Sequence, residues 1–303
     1  MTGLPVEGES GRILVLANQR LSRRIASFQE ILAGQMGDRA SIEQIDGPAA
    51  MAERARRALA EGYRRIAVAG GDGTVGVVVR ALLGEPVEIG ILPIGTFNNF
   101  ARSLGLPLQL LDAARVLVEG EPRAVDLGRV VSRHPATTFV FKEAVGVGID
   151  AAAFATGPDV HGPSKIPHGI WATLKTLLFF RPKPVKFNCD DDRGWIRCTQ
   201  LLVANASHYA AAFQILPEAR PDDGVFHVLA RRWRGRFNLL LELPAILTGR
   251  HCRLEHDVTR TCRKVRVAGH SSVLLHADGE FFCRMPATVE ILEGAVTVIV
   301  PRS

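Results

Sequence analysis

Gly70-Gly71-Asp72-Gly73-Thr74 and, about twenty residues later, Leu92-Pro93-Ile94-Gly95-Thr96-Phe97-Asn98-Asn99-Phe100-Ala101 set glycines among hydroxyl, amide and carboxylate side chains. Glycine lets backbone N–H groups come close to a phosphate, and a helix N-terminus favours the anion. Asp72 by itself would repel that phosphate, so its useful chemistry runs through Mg²⁺ or the waters Mg²⁺ holds. Thr96 and Asn98 suit hydrogen bonds to a phosphate or nucleotide at the edge of an α/β sheet. Neither run is a Walker A loop or a GxGxxG fingerprint. Taken singly, each also fits plain geometry, as a glycine pair at a strand–helix turn and as a capped turn. Near the other end, Glu280 follows Asp278 and Gly279. A bend there suits a carboxylate that accepts a hydroxyl proton, and equally an exposed hairpin turn.

Such residues need elements that end where the loops begin. Ile13–Ala17, Ser41–Asp46, Arg65–Ala69 and Glu88–Leu92 read as short buried strands. Between them, Leu21, Ile25, Phe28 and Leu32 form one helical stripe, and a second helix starts near Asp46 or Gly47 with Pro48 in its first turn. A third places Val75, Val78, Val79 and Leu82 on one face, and Leu108–Glu119 makes a fourth. This alternation predicts a parallel α/β sheet over residues 1–123. After Arg123, β-rich runs dominate: 124–131, 138–147, 185–189, 195–204, 225–230, 264–268 and 273–276. Helical patterns near Ile170–Phe180 and Phe237–Leu247 interrupt them. Residues 124–287 therefore read as an antiparallel β-rich sandwich domain. Ala287–Val300 reads as a hairpin turning at Glu293-Gly294, with 288–303 a candidate to rejoin the first domain.

With 303 residues, 47% of them hydrophobic and 22% charged, the chain can bury a large core, so disorder and coiled coil are excluded. Its net charge of +6 suits an anionic partner without choosing one. An aromatic content of 6% argues against nucleic-acid stacking platforms, so no nucleic-acid partner is expected. Cys189, Cys198, Cys252, Cys262 and Cys283 show neither zinc spacing nor a disulfide framework, and His161, His168, His208, His251 and His256 no metal spacing. No signal peptide is expected from MTGLPVEGESGR, and Thr199–Pro217 is too polar for a membrane span, so a cytoplasmic location is expected.

In combination, the motifs identify more than any one does. GGDGT followed by LPxGTxNxFA resembles the diacylglycerol kinase catalytic-domain family, which includes sphingosine and ceramide kinases and bacterial lipid kinases. Later segments are similar to the family's in the same order: Val125-Asp126-Leu127-Gly128, Glu143-Ala144-Val145-Gly146-Val147-Gly148-Ile149-Asp150, Asn205, Pro217-Glu218-Ala219-Arg220-Pro221-Asp222-Asp223-Gly224, and Asp278-Gly279-Glu280. The resemblance implies ATP- and Mg²⁺-dependent phosphorylation of a lipid hydroxyl such as that of diacylglycerol or a sphingoid base. It implies a nucleotide bound between an α/β domain and a β-rich domain, peripheral contact with the inner membrane face, and pairing of copies through the β-rich domain as a homodimer.

Carried over position by position, the resemblance makes Asn18, Gly70, Gly71, Asp72, Gly73, Thr74, Thr96 and Asn98 the nucleotide side. Asp72 and Asp126 would belong to a water-linked Mg²⁺ network, and Asp222 or Asp223 to a structural Mg²⁺ site. Asp278 and Asp72 would join the catalytic group, with Glu280 as general base. The chain departs from the pattern in three places. Asn18-Gln19-Arg20-Leu21-Ser22 stands for NPxSG, Val75-Gly76-Val77 follows GGDGT where x-N-E is common, and Asn99 replaces an Asp. Asn99 keeps hydrogen-bonding capacity and loses charge. A non-catalytic nucleotide- or lipid-binding relative and another GGDGT enzyme such as an NAD kinase are the alternatives. Arg20, Arg23 and Arg24 could meet phosphates or line a solvated helix face. Arg231, Arg232, Arg234 and Arg236 around Trp233 could face anionic lipid or flank a core helix.

Overall fold

The computed structural model describes residues 12–133, 136–148, 151–152, 183–190, 194–209, 213–214, 216–232 and 257–302. The helical patterns at 170–180 and 237–247, most of the arginine run around Trp233, Cys252, His161, His168, His251 and His256 lie outside them. The chain divides into two compact units, Met1–Val125 with Gly294–Ser303, and Asp126–Glu293.

In the first unit, β1 (Ile13–Asn18), β2 (Ala40–Ile45), β3 (Arg65–Gly70) and β4 (Glu88–Pro93) form a parallel sheet ordered β2-β1-β3-β4. Strands β1, β3 and β4 are buried almost throughout, which is why they read as unbroken apolar runs rather than as alternation. Helices α2 (Phe28–Met36) and α6 (Leu110–Glu119) share one core with Val15, Ala17, Ala67 and Ala69. Helices α3 (Pro48–Ala60) and α4 (Asp72–Ala81) pack on each other; α3 also meets β1, and α4 meets β3.

The expected single helix over 21–32 is two pieces. Helix α1 (Gln19–Ser22) stops after one turn, and Ser27, at φ 56°, reverses the backbone before α2 starts. A left-handed non-glycine residue cannot continue an α-helix. The stripe survives the break, because Phe28, Leu32 and Met36 still bury as one face.

The second unit is a sandwich of antiparallel sheets, as expected. One sheet runs β14 (Val258–Cys262), β13 (Phe226–Arg231), β10 (Gln200–Ala204), β7 (Ala144–Val147), β16 (Leu274–Ala277), β17 (Phe281–Arg284). Facing it are β15 (Lys264–Gly269), β8 (Val185–Cys189) and β9 (Ile196–Cys198), with β5 (Glu121–Arg133) paired to β6 (Ala136–Phe141). Alternate residues from both sheets meet in one core: Val145, Val147, Leu201, Val203 and Leu275 from the first, Phe187, Val265, Val267 and Phe141 from the second. A smaller apolar cluster lies on the other face of the first sheet, where Ala144, Leu202, Ala204 and Leu229 meet Leu216, Ala219 and Tyr209. Tyr209 belongs to the short strand β11 (His208–Tyr209), which pairs with β12 (Phe213–Gln214).

Two strand readings need correction. The run 138–147 is interrupted at Lys142 and Glu143, where the chain leaves β6 in one sheet and enters β7 in the other. Ala287–Val300 is no hairpin but one strand, β18. Its first residues pair with β15, and Thr297 and Val298 pair with Glu88 and Ile89 of β4. Its two halves have partners elsewhere, so they do not pair with each other, and Gly294, at φ 53°, kinks the strand without turning it.

Candidate functional site

The first unit gathers its motif residues at the C-terminal edge of the parallel sheet. In the order β2-β1-β3-β4 the chain leaves β1 toward β2 on one side, crosses back to β3 on the other side of β1 and goes on from there to β4, so the loops after β1 and β3 diverge and leave a crevice. Asn18, at the end of β1, caps α1 by accepting the Leu21 N–H at 3.2 Å. Its amide donates across the crevice to the Thr74 hydroxyl at 3.2 Å. Thr74 lies in the first turn of α4, where the opening N–H groups of a helix lack intrahelical acceptors.

The β3–α4 and β4–α5 loops touch backbone to backbone, α5 being Asn99–Ser103. A Cβ on Gly71 would stand 3.1 Å from the Gly95 Cα, and one on Gly95 would run into the Gly71 Cα. Asn98, at φ 52° and buried, closes the second loop on itself: its Oδ1 accepts the Gly95 N–H at 3.0 Å and its amide donates to the Gly95 carbonyl at 3.0 Å. The Asp72 carboxylate accepts the Phe100 N–H at 3.2 Å and so caps α5 from the neighbouring loop. Thr96 and Gly73 are exposed. Gly95→Ala is expected to cost about 1–3 kcal/mol of unfolding free energy, as overpacking against fixed backbone does. Gly34→Ala, in open space on α2, should be neutral or stabilising. Urea unfolding of the two variants against the parent checks this.

In the second unit the later motifs meet in one buried polar knot. Asp126 accepts the Gly224 N–H at 2.7 Å and donates its own N–H to the Pro221 carbonyl at 2.7 Å, which fastens the 217–224 loop to β5. Asn205, fully buried, donates from its amide to the carbonyls of Asp126 at 2.8 Å and Lys142 at 3.0 Å, and from its backbone to Glu143 at 2.8 Å. Asp278 takes the N–H groups of Lys142, Glu143 and Ala144 at 2.9, 2.9 and 3.2 Å. Lys142 Nζ lies 2.7 Å from Glu143 Oε1 and 3.4 Å from Asp278 Oδ2, with all three side chains at least 95% buried. The sheet-to-sheet corner is thus held by charge as well as by backbone.

Glu280 projects from the turn between β16 and β17. Asp278 and Gly279 both have positive φ, 51° and 70°, and the Glu280 N–H returns to the Ala277 carbonyl at 3.0 Å, as a type I′ turn requires. Glu280 itself is exposed. Beneath the turn, His276 Nδ1 accepts the Gly279 N–H at 3.2 Å and Nε2 meets the Tyr209 hydroxyl at 2.7 Å. Complete burial pushes the His276 pKa down to about 3, against the opposing pull of Asp278, so the ring stays neutral.

The expected nucleotide-side residues thus lie in three adjoining loops of the first unit, and Asp126, Asp278 and Glu280 lie in the second. Asp278 departs from a substrate-facing role, because its carboxylate is sealed by backbone N–H groups and Lys142. Nor do Asp126, Asp222 and Asp223 fit a ready metal cage. Asp126 holds Gly224, Asp222 pairs with Arg220 at 3.0 and 3.2 Å, and Asp223 holds the Val225 N–H and meets His227 at 3.0 Å. Among the described residues no group of three or more His, Cys, Asp or Glu side chains is arranged to hold a metal ion. Arg231 is half-buried and ion-paired to Asp257 at 2.6 Å, so it is not a surface cation for lipid; Arg20, Arg23 and Arg24 are exposed. The residues that sequence reasoning passed over are Lys142, His276 and Tyr209. Lys142 and Glu143 did leave a signal, as two charges in the middle of an apolar run.

Both halves of the chain match known families. Residues 12–130 match the diacylglycerol kinase catalytic domain, and residues 143–300 match the YegS C-terminal NAD kinase beta sandwich-like domain. The chain is 30% identical over 251 residues to a diacylglycerol kinase of Mycobacterium tuberculosis, covering 81% of this chain and 79% of that one. It is 28% identical over 259 residues to a diacylglycerol kinase of Staphylococcus carnosus, covering 82% and 80%. A crystal structure of a diacylglycerol kinase from Bacillus anthracis shares the fold, with TM-score 0.73 at 20% identity over 97% of this chain and 98% of the other. The motif order, the two-unit architecture and these matches together establish that the chain belongs to the diacylglycerol kinase catalytic-domain family of lipid kinases.

Proposed function

We propose that this chain transfers the γ-phosphoryl group of ATP to a lipid hydroxyl, with Glu280 as general base. The observation that carries the reading is the polar knot of the second unit. Asp126, Asn205, Gly224 and Asp278, which lie far apart in sequence, converge to fix the turn that presents one exposed carboxylate. A group that accepts a proton during phosphoryl transfer needs such fixed placement, because this chemistry depends on positioning and charge neutralisation. On the nucleotide side, the N–H groups opening α4 and the side chains of Asn18, Thr74 and Thr96 would hold the phosphates, while Asn98, whose amide is spent on the carbonyls of Pro93 and Gly95, would shape the loop that carries Thr96. Asp72 orders α5 through Phe100. Mg²⁺ would arrive with the nucleotide and supply charge neutralisation.

A lipid acceptor resides in a bilayer, so we assign the protein a peripheral contact with the membrane surface; among the described residues no helix is long and apolar enough to cross a membrane. The test is labelled ATP with mixed micelles that contain, in separate arms, diacylglycerol, a sphingoid base, monoacylglycerol or phosphatidylglycerol, and a further arm that offers NAD in place of lipid. Label is expected in the organic phase of at least one arm and absent with Asp72→Ala. No labelled lipid in any arm would overturn the reading, and label confined to a water-soluble dinucleotide product would favour an NAD kinase.

A further inference from the structure

The turn that carries Glu280 is held from one side by Asp278 and from the other by a residue no motif contains. His276 lies on β16 between Leu275 and Ala277, both of which face the sandwich core, so its ring points to the opposite face of the sheet. There it is fully buried beside Tyr209, whose ring stacks on it with centroids 5.8 Å apart. Its tautomer is fixed by what it meets. The Gly279 N–H is a donor, so Nδ1 must be the unprotonated nitrogen; Nε2 then carries the hydrogen and donates to the Tyr209 hydroxyl. A buried histidine with both ring nitrogens engaged this way acts as a rigid strut. It runs from the outer cluster of the sheet to the one N–H between Asp278 and Glu280.

We propose that His276, braced by Tyr209, is a positioning residue for the reaction: it locks the Gly279 peptide and thereby fixes where Glu280 presents its carboxylate. This rests on the reading of Glu280 as general base. Gly279 is the most pliable residue of the turn, and Asp278 restrains only the peptide before it. Without the Nδ1 acceptor, the Gly279 N–H loses its partner and the peptide is free to rotate. The carboxylate of the next residue then samples positions outside reach of the acceptor hydroxyl.

The experiment compares His276→Ala, His276→Asn and Tyr209→Phe with the parent and with Glu280→Ala, measuring kcat, KM for ATP and nucleotide-binding stoichiometry on the full chain. His276→Ala is expected to lower kcat between about 10- and 100-fold, the scale of a displaced catalytic group, with KM for ATP unchanged because the nucleotide loops belong to the other unit. His276→Asn places Oδ1 where Nδ1 stood and is expected to recover most of that loss. Tyr209→Phe should fall between the two. Normalising to nucleotide-binding stoichiometry removes any loss that comes only from fewer folded molecules. If Glu280→Ala is inactive while His276→Ala keeps the parental kcat, the positioning role is overturned and the general base stands. Equal normalised losses in His276→Ala and His276→Asn would also overturn it, since the Gly279 acceptor would then not be what matters. An active Glu280→Ala removes the base itself.

Discussion

Glu280→Gln is expected to lower lipid phosphorylation by about 10²- to 10⁴-fold, the usual contribution of a general base, with little change in KM for ATP. The substitution preserves size and shape. It also keeps the bonds that hold the turn: Glu280 N–H to the Ala277 carbonyl, Gly279 N–H to His276 Nδ1, and the N–H groups of Lys142, Glu143 and Ala144 to the Asp278 carboxylate. What the substitution removes is the ability to take a proton. Steady-state kinetics on the best lipid acceptor, beside a thermal melt that confirms an unchanged fold, reads this directly. Activity within about twofold of the parent would exclude Glu280 as the base.

Asp278→Ala should show the largest loss of stability, on the order of 3–5 kcal/mol, because it breaks a buried ion pair by removing one partner. Three backbone N–H groups lose their acceptor, and the Lys142 ammonium loses a carboxylate partner. Position 278 has φ 51°, which Asp and Asn tolerate and Ala does not, so strain adds to the loss. Asp278→Asn keeps the backbone conformation and one acceptor oxygen, and is expected to cost about 1–3 kcal/mol. Denaturant unfolding of the two variants should rank them in that order. An Asp278→Ala protein as stable as the parent would show that the corner between the two sheets is held by something other than this carboxylate.

Local pattern was enough for much of the first unit. The strands around Val15, Val68 and Ile91 are continuous apolar runs because helices cover both faces, and Pro48 marks the start of α3 where its missing N–H costs nothing. Pattern failed where a residue's partner lay elsewhere in the chain. The stripe from Leu21 to Leu32 has helical spacing across a break that only the φ of Ser27 reveals. Gly294 has the composition of a hairpin turn, yet the strand continues through it because each half pairs with a different strand.

The candidate site divides the same way. The chemistry on offer was fixed by the chain itself: glycines with Asp72 and Thr74 after one strand, Asn98 after the next, and a carboxylate just past a glycine. These are local properties of consecutive residues, and the motif order was enough to indicate the family. Which side chains meet substrate and which hold the scaffold was decided only by folding. Asp278 and Glu280 are two residues apart and both carry carboxyl groups, yet the first is sealed by N–H groups as much as 136 residues away and the second is exposed. His276 and Tyr209 are 67 residues apart and belong to no pattern. Contacts over such separations leave no periodicity in a sequence, because they depend on which face of a sheet a residue takes and what the fold lays against it.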